Sequence, residues 1–215
     1  KPHTPRNMKN MPHLAIIAGL AFLSYSLQTA NAAGRRIENV QPKVNLVGSP
    51  EIMASVRGSQ PKKQRIAGPG EPAPIWLEFE TDFDTADEFP ELTMKCSVLL
   101  QLGKGVKLVE GEVTLVDVAK GKDRHAVMYI APKTLNKLSE NKPFTMTMVR
   151  AILVELSAQG ELIGANFKGS PGITADAFTQ GKDKLDKVTD AMLNKSQTPF
   201  SPLFWDYYEA IKPSR

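Results

Sequence analysis

Apolar and polar side chains alternate along most of the chain from Ile75 to Lys168, and the longest such run is Pro143–Lys168, PFTMTMVRAILVELSAQGELIGANFK. Phe144, Met146, Met148, Ile152, Val154 and Leu156 fall on one face, and Thr145, Thr147, Val149, Ala151, Leu153 and Glu155 on the other. The pattern predicts a long strand, a tight turn at Gln159–Gly160 and a returning strand. The second half of the first strand is apolar on both faces, as in a strand from the middle of a sheet covered above and below. Arg150 interrupts the apolar face between Met148 and Ile152. Such a cation either extends to the rim or meets a carboxylate, with Glu78 or Glu80 the expected partner.

Shorter runs repeat the pattern. Ile75, Leu77 and Phe79 alternate with Trp76, Glu78 and Glu80, and Leu92–Leu102 alternates up to a Gly103-Lys104-Gly105 turn. Val106–Val109 and Val113–Val118 read as two β pieces around Gly111, and His125–Ala131 as a strand stopped by Pro132. Lys133–Lys142 is expected to form a helical turn crossing to the long hairpin. Ile37–Val47 alternates weakly and predicts a first edge strand, with Pro42 keeping it at the edge. Beyond Gly172, Thr174 is a helix cap, and Leu185, Val188 and Met192 share one face of a predicted helix over Asp183–Asn194. Ser201 and Pro202 open a second predicted helix bearing Phe204, Trp205, Tyr207 and Tyr208.

The expected fold is mainly β: an immunoglobulin-like antiparallel β-sandwich of about seven strands with C-terminal helices. The hallmark Cys…Trp…Cys spacing is absent, so the likeness concerns architecture alone. Residues 75–168 form the sandwich and 169–215 a C-terminal helical segment. Residues 33–74 hold the edge strand and a linker. Within the latter, Arg57–Pro74 (RGSQPKKQRIAGPGEPAP) is too rich in Pro, Gly and basic residues to bury much apolar surface and reads as a long exposed loop.

Residues 1–32 read as upstream residues followed by a cleavable signal peptide. Lys9 and His13 precede an apolar stretch from Leu14 to Leu23, and Ala30-Asn31-Ala32 is a small-residue cleavage site before Ala33. The expected location is the periplasm, the outer membrane or the exterior. This changes the charge reading: the full chain carries 27 basic and 23 acidic residues, a net +4. Cleavage removes Lys1, Arg6 and Lys9 and no acid, leaving +1. A nucleic-acid partner then loses its electrostatic basis. Cys96 is the one cysteine and sits in phase with Leu92, Met94, Val98 and Leu100, so it reads as a buried hydrophobe.

Candidate chemistry is sparse. Asp82-x-Asp84 begins like a calcium loop, but Asp87 stands at the sixth position, where the EF-hand requires Gly, which leaves Asp82, Asp84 and Asp87 as candidates only for a calcium site of another kind at a sandwich end. Carboxylates from Glu78 to Glu91 could serve a hydrolase if a pair were correctly spaced. Ser139-x-x-Lys142 lacks the companion motifs of penicillin-recognising enzymes. His125 is the one histidine beyond the targeting segment, which argues against a His-based triad or a multi-histidine zinc centre. No cofactor and no catalytic residue is expected. Phe204, Trp205, Tyr207 and Tyr208 are the candidate residues for docking a partner, and Trp76 is the candidate contact for a glycan.

Three stretches carry a family resemblance: MKNMPHLAIIAGLAFLSYSLQTANA from Met8, IWLEFETDFDTADEFP from Ile75 and LTMKCSVLLQLG from Leu92. Together they resemble the pilus-cluster proteins of a mucin-degrading gut Verrucomicrobium. The resemblance implies an immunoglobulin-like domain related to type IV pilus proteins and placed at or outside the outer membrane. The implied partners are other pilus-cluster or surface proteins and the host surface. Pilins of this type keep a long apolar N-terminal helix, whereas the apolar run here is short and ends in A-x-A. An accessory or surface component is therefore implied. The functional readings are protein contact through sheet edges or C-terminal aromatics, with glycan binding and carboxylate hydrolysis as alternatives.

Overall fold

The computed structural model describes residues 37–54, 62–64, 73–103 and 105–213. The signal-cleavage residues Ala30, Ala32 and Ala33 and most of the 57–74 loop lie outside them. Two sheets account for the fold. One has the order β1-β4-β7-β11, formed by β1 (Ile37–Gly48), β4 (Ile75–Thr85), β7 (Gly121–Ile130) and β11 (Met192–Asn194). The other has the order β10-β6-β5-β8-β9. Its strands are β5 (Phe89–Leu102), β6 (Gly105–Val118), β8 (Val149–Ala158), β9 (Glu161–Gly169) and β10 (Asp186–Val188). A separate two-stranded ladder joins β2 (Ile52–Ala54) to β3 (Lys62–Gln64), so the segment read as a loop contains a paired stretch. Backbone pairing needs no apolar surface, which is why composition gave no sign of it.

The inward faces meet in one core. Leu77, Phe79 and Phe83 of β4 and Ala126, Met128 and Ile130 of β7 pack with Met94, Cys96 and Val98 of β5 and Ile152, Val154 and Leu156 of β8. Both outer faces are covered as well. Leu99, Leu108, Ala151 and Leu153 lie under Phe178 of a short helix, α2 (Ala175–Gly181), which Thr174 caps by accepting from the Ala177 N–H. Val127, Tyr129 and Trp76 lie under Phe200. The double cover explains why β8 is apolar on both faces, and β8 is central as expected, between β5 and β9. The crossing turn is α1 (Pro132–Leu138).

Several expectations are corrected. Met146–Met148 is a 3-10 turn, so the first strand of the long hairpin starts at Val149. β6 is one unbroken strand whose register with β5 runs straight through Gly111. A Cβ at Gly111 would collide with Met192 and come within 2.8 Å of Met128, so this glycine lets the opposing sheet approach. The two sheets hold nine strands against the seven expected over residues 75–168: those residues supply six, because β6 is not divided at Gly111, β1 adds one, and the C-terminal region adds β10 and β11. There, Leu185 packs beneath the five-stranded sheet, Val188 pairs with Val109, and Met192 enters the core. Asp190, at φ 56°, turns the chain between β10 and β11 and breaks the predicted helix. Residues 198–211 are also not helical: Phe204 holds φ 57°, which a helix cannot pass through.

Arg150 has neither expected carboxylate. Its Nε is buried without a partner, while Glu78 and Glu80 bond to other groups.

Candidate functional site

Alternation along β1, β4 and β7 sends one set of side chains out of the four-stranded sheet, and the register sets them in opposed pairs. Lys43 faces Glu80, Asn45 faces Glu78, Asp82 faces His125, and Glu78 also faces Tyr129. Lys43 Nζ lies 3.3 Å from Glu80 Oε1 and 2.5 Å from Asp82 Oδ2, bridging the two carboxylates. His125 Nδ1 lies 3.0 Å from Asp82 Oδ1. Ligand atoms of Glu80, Asp82 and His125 fall within 4.8 Å of one another, a spacing a divalent ion could use. The Lys43 ammonium stands between the two carboxylates, where such an ion would sit. The calcium-loop reading fails on geometry: Asp82 and Asp84 are alternate residues of a strand, and Asp84 is held by Asn39 Nδ2 at 2.6 Å and the Asp123 N–H at 3.1 Å.

The C-terminal segment 198–212 crosses this face as a strap. Phe200 stacks on Tyr129, with centroids 4.6 Å apart, and meets the edge of Trp76 at 5.6 Å. Tyr207 and Tyr208 donate to the two oxygens of Glu80, at 3.2 and 3.1 Å, and Tyr207 stacks on His125 at 3.9 Å. The strap then leaves the sheet. The Glu209 N–H donates to the His125 carbonyl at 2.9 Å, the Val116 N–H to the Ala210 carbonyl at 2.9 Å, and the Lys212 N–H to the Thr114 carbonyl at 2.8 Å. It therefore bridges β7 of one sheet to β6 of the other.

Electrostatics follow from this layering. Burial pushes Glu78 above its usual range, with the neighbouring Glu80 adding to it, and hydrogen bonds from Asn45 and Tyr129 offset only part. Burial pushes Asp82 the same way, but hydrogen bonds from Lys43 and His125 outweigh it and leave the group below its usual range. Burial raises Tyr129 and Tyr208 and lowers Lys195.

The strap divides the predicted aromatics. Trp76 is 8% exposed, covered by Phe200 and hydrogen-bonded from Nε1 to Ser49 at 2.7 Å, so it is not presented to a glycan. Phe204 (62%), Trp205 (74%) and Tyr207 (43%) are exposed, whereas Tyr208 is half-buried on Glu80. Beside them is a hollow of about 400 Å³ lined by Trp205, Tyr208, Lys195, Arg124 and Asp206. Lys195 is only 7% exposed. Its Nζ donates to the Ser201 carbonyl at 3.2 Å and lies 5.5 Å from the Trp205 ring centre. Sequence reasoning missed Lys43, His125 and Lys195 as members of this face. For Lys43 the signal was there: it is in phase with Asn45 on the polar face of an edge strand.

A protein-family model matches residues 28–215, which span both sheets and the strap. No curated protein matches the chain. Among solved structures, a crystal structure of a protein from Akkermansia muciniphila aligns with a TM-score of 0.65 at 18% identity, covering 84% of this chain and 94% of that one. At that identity the likeness is one of fold.

Proposed function

Since the chain belongs to the family whose model spans residues 28–215, we propose that it is an exported, immunoglobulin-like, non-catalytic module of that family that acts by protein contact. It serves a type IV pilus-related assembly or surface adhesion, as the resemblance of its sequence implies. The carrying observation is the strap, which fixes a row of exposed aromatics on a rigid face. Phe204 and Trp205 project outward, while Phe200, Tyr207 and Tyr208 anchor the segment beneath them. Rigid exposed aromatics beside a hollow are the composition of an interface anchor. Two of the carboxylates that could have served a hydrolase are engaged in holding this arrangement: Glu80 by two tyrosines and Lys43, and Asp82 by Lys43 and His125.

The test is capture of surface partners by the wild type and by a Phe204→Ala/Trp205→Ala variant. Retention should fall about tenfold or more with thermal stability unchanged, as expected for loss of an anchor. Equal capture by both forms would remove the strap from the interface. Mass spectrometry of the exported protein should find an N-terminus at Ala33. A second reading, glycan binding, moves from the covered Trp76 to Trp205, whose exposed ring borders the hollow. Titration with mucin glycans followed by tryptophan fluorescence tests it, and a flat curve disposes of it.

A further inference from the structure

The two sheets are joined unevenly along the side where β1 meets β9. At the Ile37–Pro42 end they are stitched. Gly164 leaves room for Ile37, whose Cβ lies 2.7 Å from where a Gly164 Cβ would stand, and Asn166 Nδ2 donates to the Val40 carbonyl. Lys168 Nζ donates to the Pro42 carbonyl at 2.6 Å. Past Pro42 the stitching stops, and a hollow of about 480 Å³ opens between β1 and the start of β8. Val44, Met146, Val149 and Ile152 give it apolar walls, and Lys43, Arg150 and Lys168 stand around it.

β1 is an edge strand here, bonded to β4 on one side only. Peptide groups on a strand point alternately to its two sides. The Val40 and Pro42 carbonyls point away from β4, since β9 side chains reach them. Val44 and Leu46, in phase with them, therefore turn their N–H and C=O groups outward along the hollow. No partner for these outward groups exists among the described residues. Their side chains are half-buried against the core, so the edge is apolar on one face and unpaired in its plane. The cations add a direction. Lys43 is neutralised by Glu80 and Asp82, but Arg150 and Lys168 have no carboxylate among the described residues, and Arg150 Nε is buried unpartnered.

We propose that the free edge of β1 from Val44 to Gly48 accepts an extended strand from a partner. That strand alternates apolar and polar residues and carries a carboxylate to Arg150 and Lys168. The span is about 17 Å at the usual rise per strand residue, room for roughly five residues of added ladder. Backbone bonds to Val44 and Leu46 supply register, apolar side chains fill the hollow, and the carboxylate sets direction. This surface is separate from the strap, so either can fail without the other.

The probe is an acetylated octapeptide of alternating threonine and valine ending in Asp-Glu, titrated against the full chain by fluorescence anisotropy. Saturable binding is expected, about tenfold weaker when the end is Lys-Lys, as loss of a charge-assisted contact implies. N-methylation of alternate residues gives the decisive comparison: one methylated set should lose binding and the other keep it, because only one row of N–H groups faces β1. In Arg150→Gln the acidic peptide should lose most of its advantage over the basic one. If that variant does not fold, the four peptides on the wild type decide alone. Equal binding by the two methylated sets, equal binding of acidic and basic ends, or no saturable binding would each overturn the proposal.

Discussion

Glu78 and Asp82 are four residues apart on the same face of β4, yet their protonation preferences are pushed in opposite directions. Glu78 lies deeper, and burial leaves its folded-state pKa above the usual 4.5. The folded state therefore favours the protonated form, and Glu78 costs stability once pH exceeds the carboxylate range. Asp82 has Lys43 and His125 against it, and its folded-state pKa falls below 3.8. Its contribution is full above that value and disappears as pH falls through the lower, folded-state one. Glu78→Gln should thus raise the unfolding midpoint at pH 7, with the gain closing on acidification. Asp82→Asn should lower it at pH 7, and that deficit should also close in acid. Urea melts of wild type and both variants from pH 7 to pH 3 measure both trends, and parallel curves would contradict the assignment.

At the level of the element, the strap separates aromatics that hold the fold from aromatics that face water. Phe200 is buried between Tyr129 and Trp76, so Phe200→Ala should cost about 3 kcal/mol, typical of a buried phenylalanine. Trp205→Ala should stay within about 0.5 kcal/mol, as exposed substitutions do. Denaturant melts of the two single variants test the contrast, and a large loss in Trp205→Ala would make the exposed row structural. The strap also shows where sequence pattern loses its grip. β4 was legible because it buries alternate residues in the core, and β5 and β8 because their apolar runs are long enough for strands covered on both faces. For the strap, Ser201-Pro202 and the clustered aromatics predict a helix. Its residues are instead placed one at a time, Phe200 by a ring stack and Tyr207 and Tyr208 by Glu80, and such long-range partners leave no periodicity. Leu185, Val188 and Met192 misled similarly: a spacing that suits one helical face also suits three residues packed at three separate places. On the outer face of β4, the acidic run was visible in sequence, but Lys43 and His125 joined it only through cross-strand register.

The whole molecule closes around one shared core, which predicts that it opens as one unit. β1 and β9 are stitched on one side, and the strap bridges β7 to β6 on the other, so neither sheet can swing away without breaking contacts to its neighbour. Cys96 is a natural reporter of this. It lies on β5, directly opposite Gly111 of β6 and Val154 of β8, and is 1% exposed. Burial raises its thiol pKa and so suppresses the reactive thiolate, and no reagent can approach while the sheets stay packed. Labelling by a thiol reagent should therefore require opening of the core. Its rate in native buffer should be about a thousandfold or more below that of a free thiol, reflecting the equilibrium constants of stable domains. Across sub-denaturing urea, the logarithm of that rate should rise with the slope of the equilibrium unfolding curve. A much shallower slope would mean that Cys96 is reached through a local opening, such as parting of the sheets at the unstitched end beyond Pro42. The five-stranded sheet would then be exposed without global unfolding, and the two sheets would not be one cooperative unit.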